Sequence, residues 1–100
     1  AYLASTRINL NCTISYYGGG IAEKYIHQKP LCPIMYHFGA LDAAIPLSEV
    51  AEIKSRHPEG VFHIYEDAGH GFNCNFREDY HEESANIASS RTLDFLKLHL

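Results

Sequence analysis

The sequence predicts an α/β domain in which parallel strands alternate with helices. Three short, nearly continuous apolar runs, at residues 10–17, 33–38 and 61–66, are typical of strands that are covered on both faces. Helical patterns separate and follow these runs, and such alternation implies three parallel strands joined by right-handed crossovers, with flanking helices. Because sheets of this kind average about 5–6 strands, we interpret residues 1–100 as a single partial domain.

The first predicted strand, residues 10–17, is rich in isoleucine, threonine and tyrosine, which favour strands. The run Gly18-Gly19-Gly20 ends this strand. It lacks the lysine and the spacing of a phosphate-binding loop, so we interpret it as a turn. Residues 20–28 show the weaker pattern of a short helix, and residues 1–5 resemble the end of another helix.

The second predicted strand, residues 33–38, is closed by Gly39 and followed by a helix between Pro46 and Pro58. Pro46 suits the first helical position, and Pro58 marks the end of the helix. The stripe of this helix that is expected to face the sheet comprises Leu47, Val50, Ala51 and Lys54.

The third predicted strand, residues 61–66, precedes a long helix over residues 82–99. Alanines near the start of that helix would let it lie close against the sheet. The side chains expected on its buried face are Ala85, Ala88, Thr92, Phe95 and Leu96.

Composition narrows the classes of partner and compartment. The net charge of −4, from 8 basic and 12 acidic residues, disfavours binding to nucleic acid. The sequence has no basic stripe that would bind a membrane surface and no apolar run long enough to cross a membrane. The three cysteines, Cys12, Cys32 and Cys74, form no CxxC motif, and their odd number disfavours a disulfide framework. No signal peptide is recognisable, so we expect a cytoplasmic protein with reduced thiols.

The loops after the second and third predicted strands carry the residues best suited to chemistry. Asp42 lies in the first loop, and His70, between two glycines, lies in the second. Because parallel strands end at the same edge of a sheet, about 4.8 Å apart, these side chains are expected to be hydrogen-bonded. An aspartate on Nδ1 orients the imidazole and leaves the other nitrogen free for general acid–base catalysis. Considered separately, Asp42 suits a turn or cap and His70 an exposed loop, but together they favour a catalytic pair.

Two other classes of function stay open. His70, Cys74 and His81, with Glu78, could surround a zinc ion, although their spacing matches no established zinc motif. The chain could also be a non-catalytic module that binds a partner. No metal or cofactor is predicted. The histidines within predicted strands, His37 and His63, are expected to be satisfied by the backbone.

Several segments resemble the dienelactone hydrolase family of α/β-hydrolases, in the family's order and over nearly the whole chain. These segments are residues 16–21, 33–39, 42, 45–46, 65–72, 85 and 91–95. The resemblance implies the C-terminal part of an α/β-hydrolase fold. It also implies hydrolysis of a lactone or small ester through an acyl-enzyme, without a cofactor.

The resemblance further implies a triad in the order nucleophile, aspartate, histidine, in which Asp42 and His70 match the second and third positions. The nucleophile, usually cysteine in this family, belongs in a G-x-C-x-G or G-x-S-x-G elbow, and the sequence contains no such motif. Cysteines and serines in other settings are Cys12 and Ser15 in the first strand, Cys32 before Pro33, and Cys74 beyond the histidine. We therefore expect the elbow just upstream, an active full-length protein and an inactive 100-residue chain.

Two further expectations concern the substrate and self-association. Characterised lactonases of the family carry an arginine shortly after the histidine that helps to hold the substrate carboxylate, whereas the nearest arginine here is Arg77. The resemblance thus implies the hydrolase class more strongly than a dienelactone substrate. Residues 10–17 would present an unpaired strand edge, which predicts self-association through that edge.

Overall fold

The computed structural model describes residues 2–19, 21, 26–74 and 80–100, and the structural statements below concern these residues. They form three helices and three strands. In chain order these are α1 (Tyr2–Arg7), β1 (Thr13–Tyr16), β2 (Ile34–Gly39), α2 (Leu47–Arg56), β3 (Val61–Tyr65) and α3 (Glu82–His99).

The three strands form one parallel sheet in the order β1-β2-β3, which confirms the predicted topology. β1 is shorter than the predicted run, because the ladder begins only where Thr13 pairs with Ile34. Pro33, just before Ile34, has no N–H to donate, and its carbonyl accepts the N–H of Thr13 at 2.9 Å. Cys12 therefore lies before the strand rather than within it.

β2 is the centre of the molecule, and all six of its residues are buried. An apolar cluster that includes Tyr36 and Phe38 of this strand lies on the side of α1 and α2. A second cluster joins Tyr65, the buried loop residue Phe72 and Ala88 of α3. Burial on both sides explains why β2 is a nearly continuous apolar run.

The predicted boundaries of α2 are close to those observed, but only Val50 of its predicted buried stripe is buried. Val50 and Ile53 are buried, whereas Leu47, Ala51 and Lys54 are exposed. The helix packs through residues three apart, and His57 at its C-terminal cap extends this buried row. Pro46 is the N-cap, with extended backbone, rather than the first helical residue.

α3 has the predicted bounds, and its predicted face is turned inward. Ala85, Ala88 and Phe95 are buried, and Thr92 is half-buried. His81 caps the helix, since its Nδ1 accepts the N–H of Ser84 at 3.2 Å. The prediction of a helix over residues 20–28 falls largely outside the described residues. Among the helices described, none is both long and apolar enough to span a membrane.

Candidate active site

Asp42 lies in the tight turn that leaves β2, and its carboxylate is rigidly held. The side chain is 1% exposed. Its Oδ1 accepts two backbone N–H groups, from Ala44 at 2.8 Å and from Ile45 at 3.1 Å. The N–H of Asp42 donates to the carbonyl of Gly39 at 3.2 Å, which closes the turn. These contacts occupy Oδ1 and leave Oδ2 for a partner outside the turn.

His70 provides that partner from the loop after β3. Its Nδ1 lies 2.6 Å from Oδ2 of Asp42, so the predicted contact between the two side chains is confirmed. The His70 side chain is 36% exposed. Among the described residues, Nε2 of His70 has no hydrogen-bond partner. The pair thus combines a buried, oriented carboxylate with an imidazole whose second nitrogen is accessible.

The His70 loop rests directly on the end of β2. A Cβ atom at Gly39 would lie 2.7 Å from the carbonyl oxygen of Gly69 and would also meet that of Ala68, so only glycine permits this approach. The N–H of Leu41 donates to the Ala68 carbonyl at 2.9 Å. Gly71, with a φ of 76°, turns the chain after the histidine. Backbone contacts therefore fix the loop on one side.

Side chains from β1 and the residue after it fix the loop on the other side. Phe72 is fully buried and packs near Tyr16 and Tyr17, with ring centroids 6.3 and 5.4 Å away. The ring of Tyr17 also lies 5.2 Å from the ring of His70. Sequence analysis missed this contact. The sequence shows two adjacent tyrosines before a glycine run, but not which of them contacts His70.

The histidine at the centre of the sheet, His37, has no such accessible nitrogen. Its Nδ1 is hydrogen-bonded to the Tyr65 hydroxyl at 2.8 Å, and its Nε2 to the Thr92 hydroxyl at 3.0 Å. The expectation of backbone partners for His37 is therefore wrong, because β2 uses its backbone groups in the ladder and the side chain faces α3. Burial, together with the nearby His63 and Arg91, lowers the pKa of His37 to about 4.

None of the described serines or cysteines is hydrogen-bonded to His70. Ser15 is buried in β1, and Sγ of Cys32 lies 3.3 Å from the hydroxyl of Thr13 at the start of the sheet, opposite to the His70 end. Cys74 follows the loop, and its N–H donates to the Gly71 carbonyl at 2.9 Å. The described part of the chain thus holds the hydrogen-bonded Asp42–His70 pair.

The zinc hypothesis finds no support where the chain is described. Within those ranges, no group of three or more His, Cys, Asp or Glu side chains is arranged to hold a metal ion. Glu78, and also Arg77, lie outside the described residues. His81 uses its Nδ1 as the cap of α3.

A cavity of about 250 Å³ lies along β1, away from the pair. Its lining residues are Tyr2, Leu3, Ser15, Tyr16, Gly18, Gly19 and Ile21. In the described sheet, β1 pairs only with β2, so its other edge is unpaired.

Comparison with known proteins identifies relatives along the whole chain. A family model described as the dienelactone hydrolase family matches residues 1–100. A carboxymethylenebutenolidase from Pseudomonas putida is 31% identical over 101 residues, which cover 96% of this chain and 42% of that protein. The chain spans less than half the length of these curated relatives, with 39% for a Yersinia pestis relative.

Solved structures agree with the sequence matches. A crystal structure of a protein provisionally described as a dienelactone hydrolase, from Klebsiella pneumoniae, superposes with a TM-score of 0.87 at 26% identity. The match covers 93% of this chain and 45% of that one. An esterase from Thermogutta terrifontis shares the fold, with a TM-score of 0.56 at 13% identity. These matches confirm the predicted α/β-hydrolase architecture.

Proposed function

The chain belongs to the dienelactone hydrolase family, and from this premise we propose that it hydrolyses a lactone or small carboxylic ester as part of a larger domain. In this proposal His70 is the general base and acid, and Asp42 is the residue that orients it. The observation that carries the proposal is the 2.6 Å contact between Nδ1 of His70 and the buried Oδ2 of Asp42.

The geometry suits proton transfer at Nε2. Asp42 accepts the Nδ1–H, so the lone pair of Nε2 faces the accessible side and can take a proton from a cysteine thiol or serine hydroxyl. The freed sulfur or oxygen attacks the carbonyl carbon of the substrate, and the carbonyl π electrons move to its oxygen. When that oxyanion collapses, the C–O bond of the ester or lactone breaks, and the leaving oxygen takes the proton from Nε2.

The second half of the cycle repeats this transfer with water. Nε2 removes a proton from a water molecule as the water oxygen attacks the acyl-enzyme. The tetrahedral intermediate then expels the nucleophile, which regains the proton, and a carboxylic acid is released. Asp42 keeps its negative charge throughout and stabilises the imidazolium, which forms twice per cycle. Two backbone N–H groups on Oδ1 hold the carboxylate in place for this task.

The nucleophile in this proposal comes from residues beyond these 100. The sequence has no G-x-C-x-G or G-x-S-x-G elbow, and relatives such as the Pseudomonas putida carboxymethylenebutenolidase are more than twice as long as the matched segment. The name of that relative, together with the family, supports lactones and esters as the substrate class. We further propose that the protein acts in the cytoplasm, in keeping with its three free cysteines.

A panel of small esters and lactones tests the proposal on two proteins, the 100-residue chain and the full-length protein. We expect turnover only by the full-length protein, and we expect His70→Ala to reduce that turnover to background. His63→Ala, which changes another half-exposed histidine, is the matched control and should retain activity. Hydrolysis that survives His70→Ala would show that the base is elsewhere.

Self-association through the unpaired edge of β1 stays a prediction for the 100-residue chain. Sedimentation at micromolar concentration should show dimers or larger species. Placing a charge in that strand with Ile14→Lys, at a half-buried position, should shift them towards monomer. A wild-type monomer with a cooperative melt would contradict the prediction.

A further inference from the structure

Tyr17 has a backbone conformation that requires an explanation. Its φ is 55°, and within the described residues it is the only non-glycine residue with a positive φ. This left-handed conformation is unfavourable for a residue with a bulky side chain, and such residues cluster at functional sites. Two backbone hydrogen bonds hold it: the Tyr17 N–H donates to the His37 carbonyl at 3.0 Å, and the Tyr17 carbonyl accepts the N–H of Gly19.

The left-handed turn directs the Tyr17 side chain onto the loop that carries His70. Its ring lies 5.2 Å from the His70 ring, tilted by 49°, and packs edge-on against Phe72 at 5.4 Å. Its hydroxyl accepts the backbone N–H of Asn73 at 2.8 Å. One side chain thus contacts three of the four residues from 70 to 73.

We propose that Tyr17 is a positioning residue that holds the His70 imidazole within hydrogen-bonding reach of Asp42. The loop needs such a support, because glycines flank His70 on both sides and Gly71 adopts a φ of 76°. Asp42 restrains one ring nitrogen from the end of β2, and Tyr17 restrains the ring and the following backbone from the end of β1. Within the described residues, Asp42 is the charged group in contact with the ring, and Tyr17 is the other titratable side chain against it.

For catalysis, this inference rests on the proposed function, since holding the ring matters only if Nε2 transfers protons. The aromatic ring of Tyr17 is also within the distance of about 6 Å at which it attracts a cation, so it favours the imidazolium when that forms. Its contribution should therefore be larger in the transition state than in substrate binding. Tyr17 restricts the motion of the His70 imidazole and does not itself transfer protons.

The neighbouring Tyr16 serves as a matched control, because its hydroxyl is bonded to α3 rather than to the His70 loop. Its hydroxyl is hydrogen-bonded to that of Thr92 at 3.0 Å, and its ring stacks on His37 at 4.6 Å. Tyr16→Phe and Tyr17→Phe each remove one hydroxyl that forms a hydrogen bond, but only Tyr17→Phe releases the backbone of the His70 loop. A third variant, Tyr17→Asn, removes the ring while keeping a residue that tolerates the left-handed conformation.

The first measurement is hydrogen exchange by NMR on the full-length protein, read at the His70 Nδ1 proton and the Asn73 amide. Tyr17→Phe should accelerate exchange of both protons, by roughly tenfold for Asn73, whose hydrogen bond is lost. Tyr17→Asn should broaden the His70 Nδ1 proton beyond detection. Tyr16→Phe should change neither proton. If Tyr17→Asn does not fold, Tyr17→Phe alone decides, and wild-type exchange of the His70 proton in that variant overturns the proposal.

The second measurement is steady-state kinetics on the full-length protein. Tyr17→Asn should lower kcat by roughly 10–100-fold with little change in KM, because a misplaced base slows the chemical step. An equal kcat in Tyr17→Asn and wild type overturns the positioning role. If instead the full-length protein hydrolyses nothing, the proposed function fails while the exchange experiment still decides whether Tyr17 holds His70.

Discussion

Two histidines of this chain, His70 and His37, are each hydrogen-bonded at Nδ1 to a residue 28 positions away in sequence, yet their environments are opposite. His70 is bonded to a carboxylate at the end of the sheet, and its side chain is 36% exposed. His37 is fully buried in the centre of the sheet between two hydroxyl groups. Burial lowers its pKa to about 4.

The comparison shows that the charge of the partner and the access of solvent decide what a histidine can do. A carboxylate compensates for the positive charge of an imidazolium, whereas two neutral hydroxyls do not offset the desolvation of a buried ring. His37 therefore stays neutral and joins β2 to β3 and α3 through Tyr65 and Thr92. In the proposed mechanism, His70 accepts a proton and returns it.

The largest effect is expected from removing the charge that distinguishes the two sites. In the full-length protein, Asp42→Asn should lower kcat by about 10⁴-fold, because the amide favours the wrong tautomer of His70. Ester hydrolysis measured under saturating substrate checks this. Asp67→Asn, which neutralises an exposed carboxylate earlier in the same loop, is the matched control and should leave kcat unchanged. An Asp42→Asn variant with a tenth or more of wild-type activity would show that the charge of Asp42 is not what distinguishes His70 from His37.

The next effect concerns pH and His37. Its pKa is about 4 in the folded protein and near 6.5 when unfolded. The unfolded state therefore binds the extra proton first as the pH falls. The contribution of neutral His37 to the free energy of unfolding should be fully present above pH 6.5. It should fall by about 3 kcal/mol as the pH decreases from 6.5 to 4. Burial, with Arg91, also lowers the pKa of His63, which adds to the loss in the same direction.

Urea unfolding across this pH range, compared between wild type and His37→Gln, isolates the contribution of His37. The difference between the two proteins should shrink as the pH falls, because only wild type loses the stability due to neutral His37. Carboxylates that titrate in the same window are common to both proteins and cancel. A constant difference from pH 7 to 4 would mean that the pKa of His37 is the same in the folded and unfolded states.

A smaller effect is expected at the point where β2 meets the His70 loop. Gly39→Ala places a methyl group against the carbonyls of Ala68 and Gly69, which should cost about 2 kcal/mol of unfolding free energy. NMR signals of His70 should shift, while those of His37, two residues before Gly39, should change little. Gly19→Ala is the control, since the nearest atoms lie 3.7 and 3.9 Å from an added Cβ. Equal melting temperatures for the two variants would contradict the close contact.

The smallest effect is expected from the hydroxyl that α3 contributes to His37. Thr92→Val keeps the shape of the side chain but removes the partner of His37 Nε2 and of the Tyr16 hydroxyl. The loss should be about 1–2 kcal/mol in the free energy of unfolding. Ser90→Ala, on the exposed side of the same helix, should have almost no effect in the same thermal melts. If Thr92→Val is as stable as wild type, the hydroxyl is not a structural partner of His37.

Much of this arrangement could be predicted without coordinates, because it follows from chain order. Apolar runs separated by helices imply parallel strands, and parallel strands bring the loops of Asp42 and His70 to one edge. The side-chain contacts that the prediction missed depend on how the helices and loops pack against the sheet. The buried face of α2 is predicted correctly only at Val50, because Leu47 and Ala51 fit a helical stripe with Val50 as well as Ile53 does, and only the sheet beneath selects between them.

The sequence by itself determined the order of strands and helices, the family resemblance and the identity of the aspartate–histidine pair. Residue types and their spacing carry these properties, since each depends on local pattern or on topology alone. Tertiary structure decided which of two adjacent tyrosines supports His70 and which partners leave His37 neutral. Tyr16 and Tyr17 differ by the left-handed backbone of the second. That conformation is imposed by hydrogen bonds to β2 and by the loop it contacts, which no sequence pattern encodes.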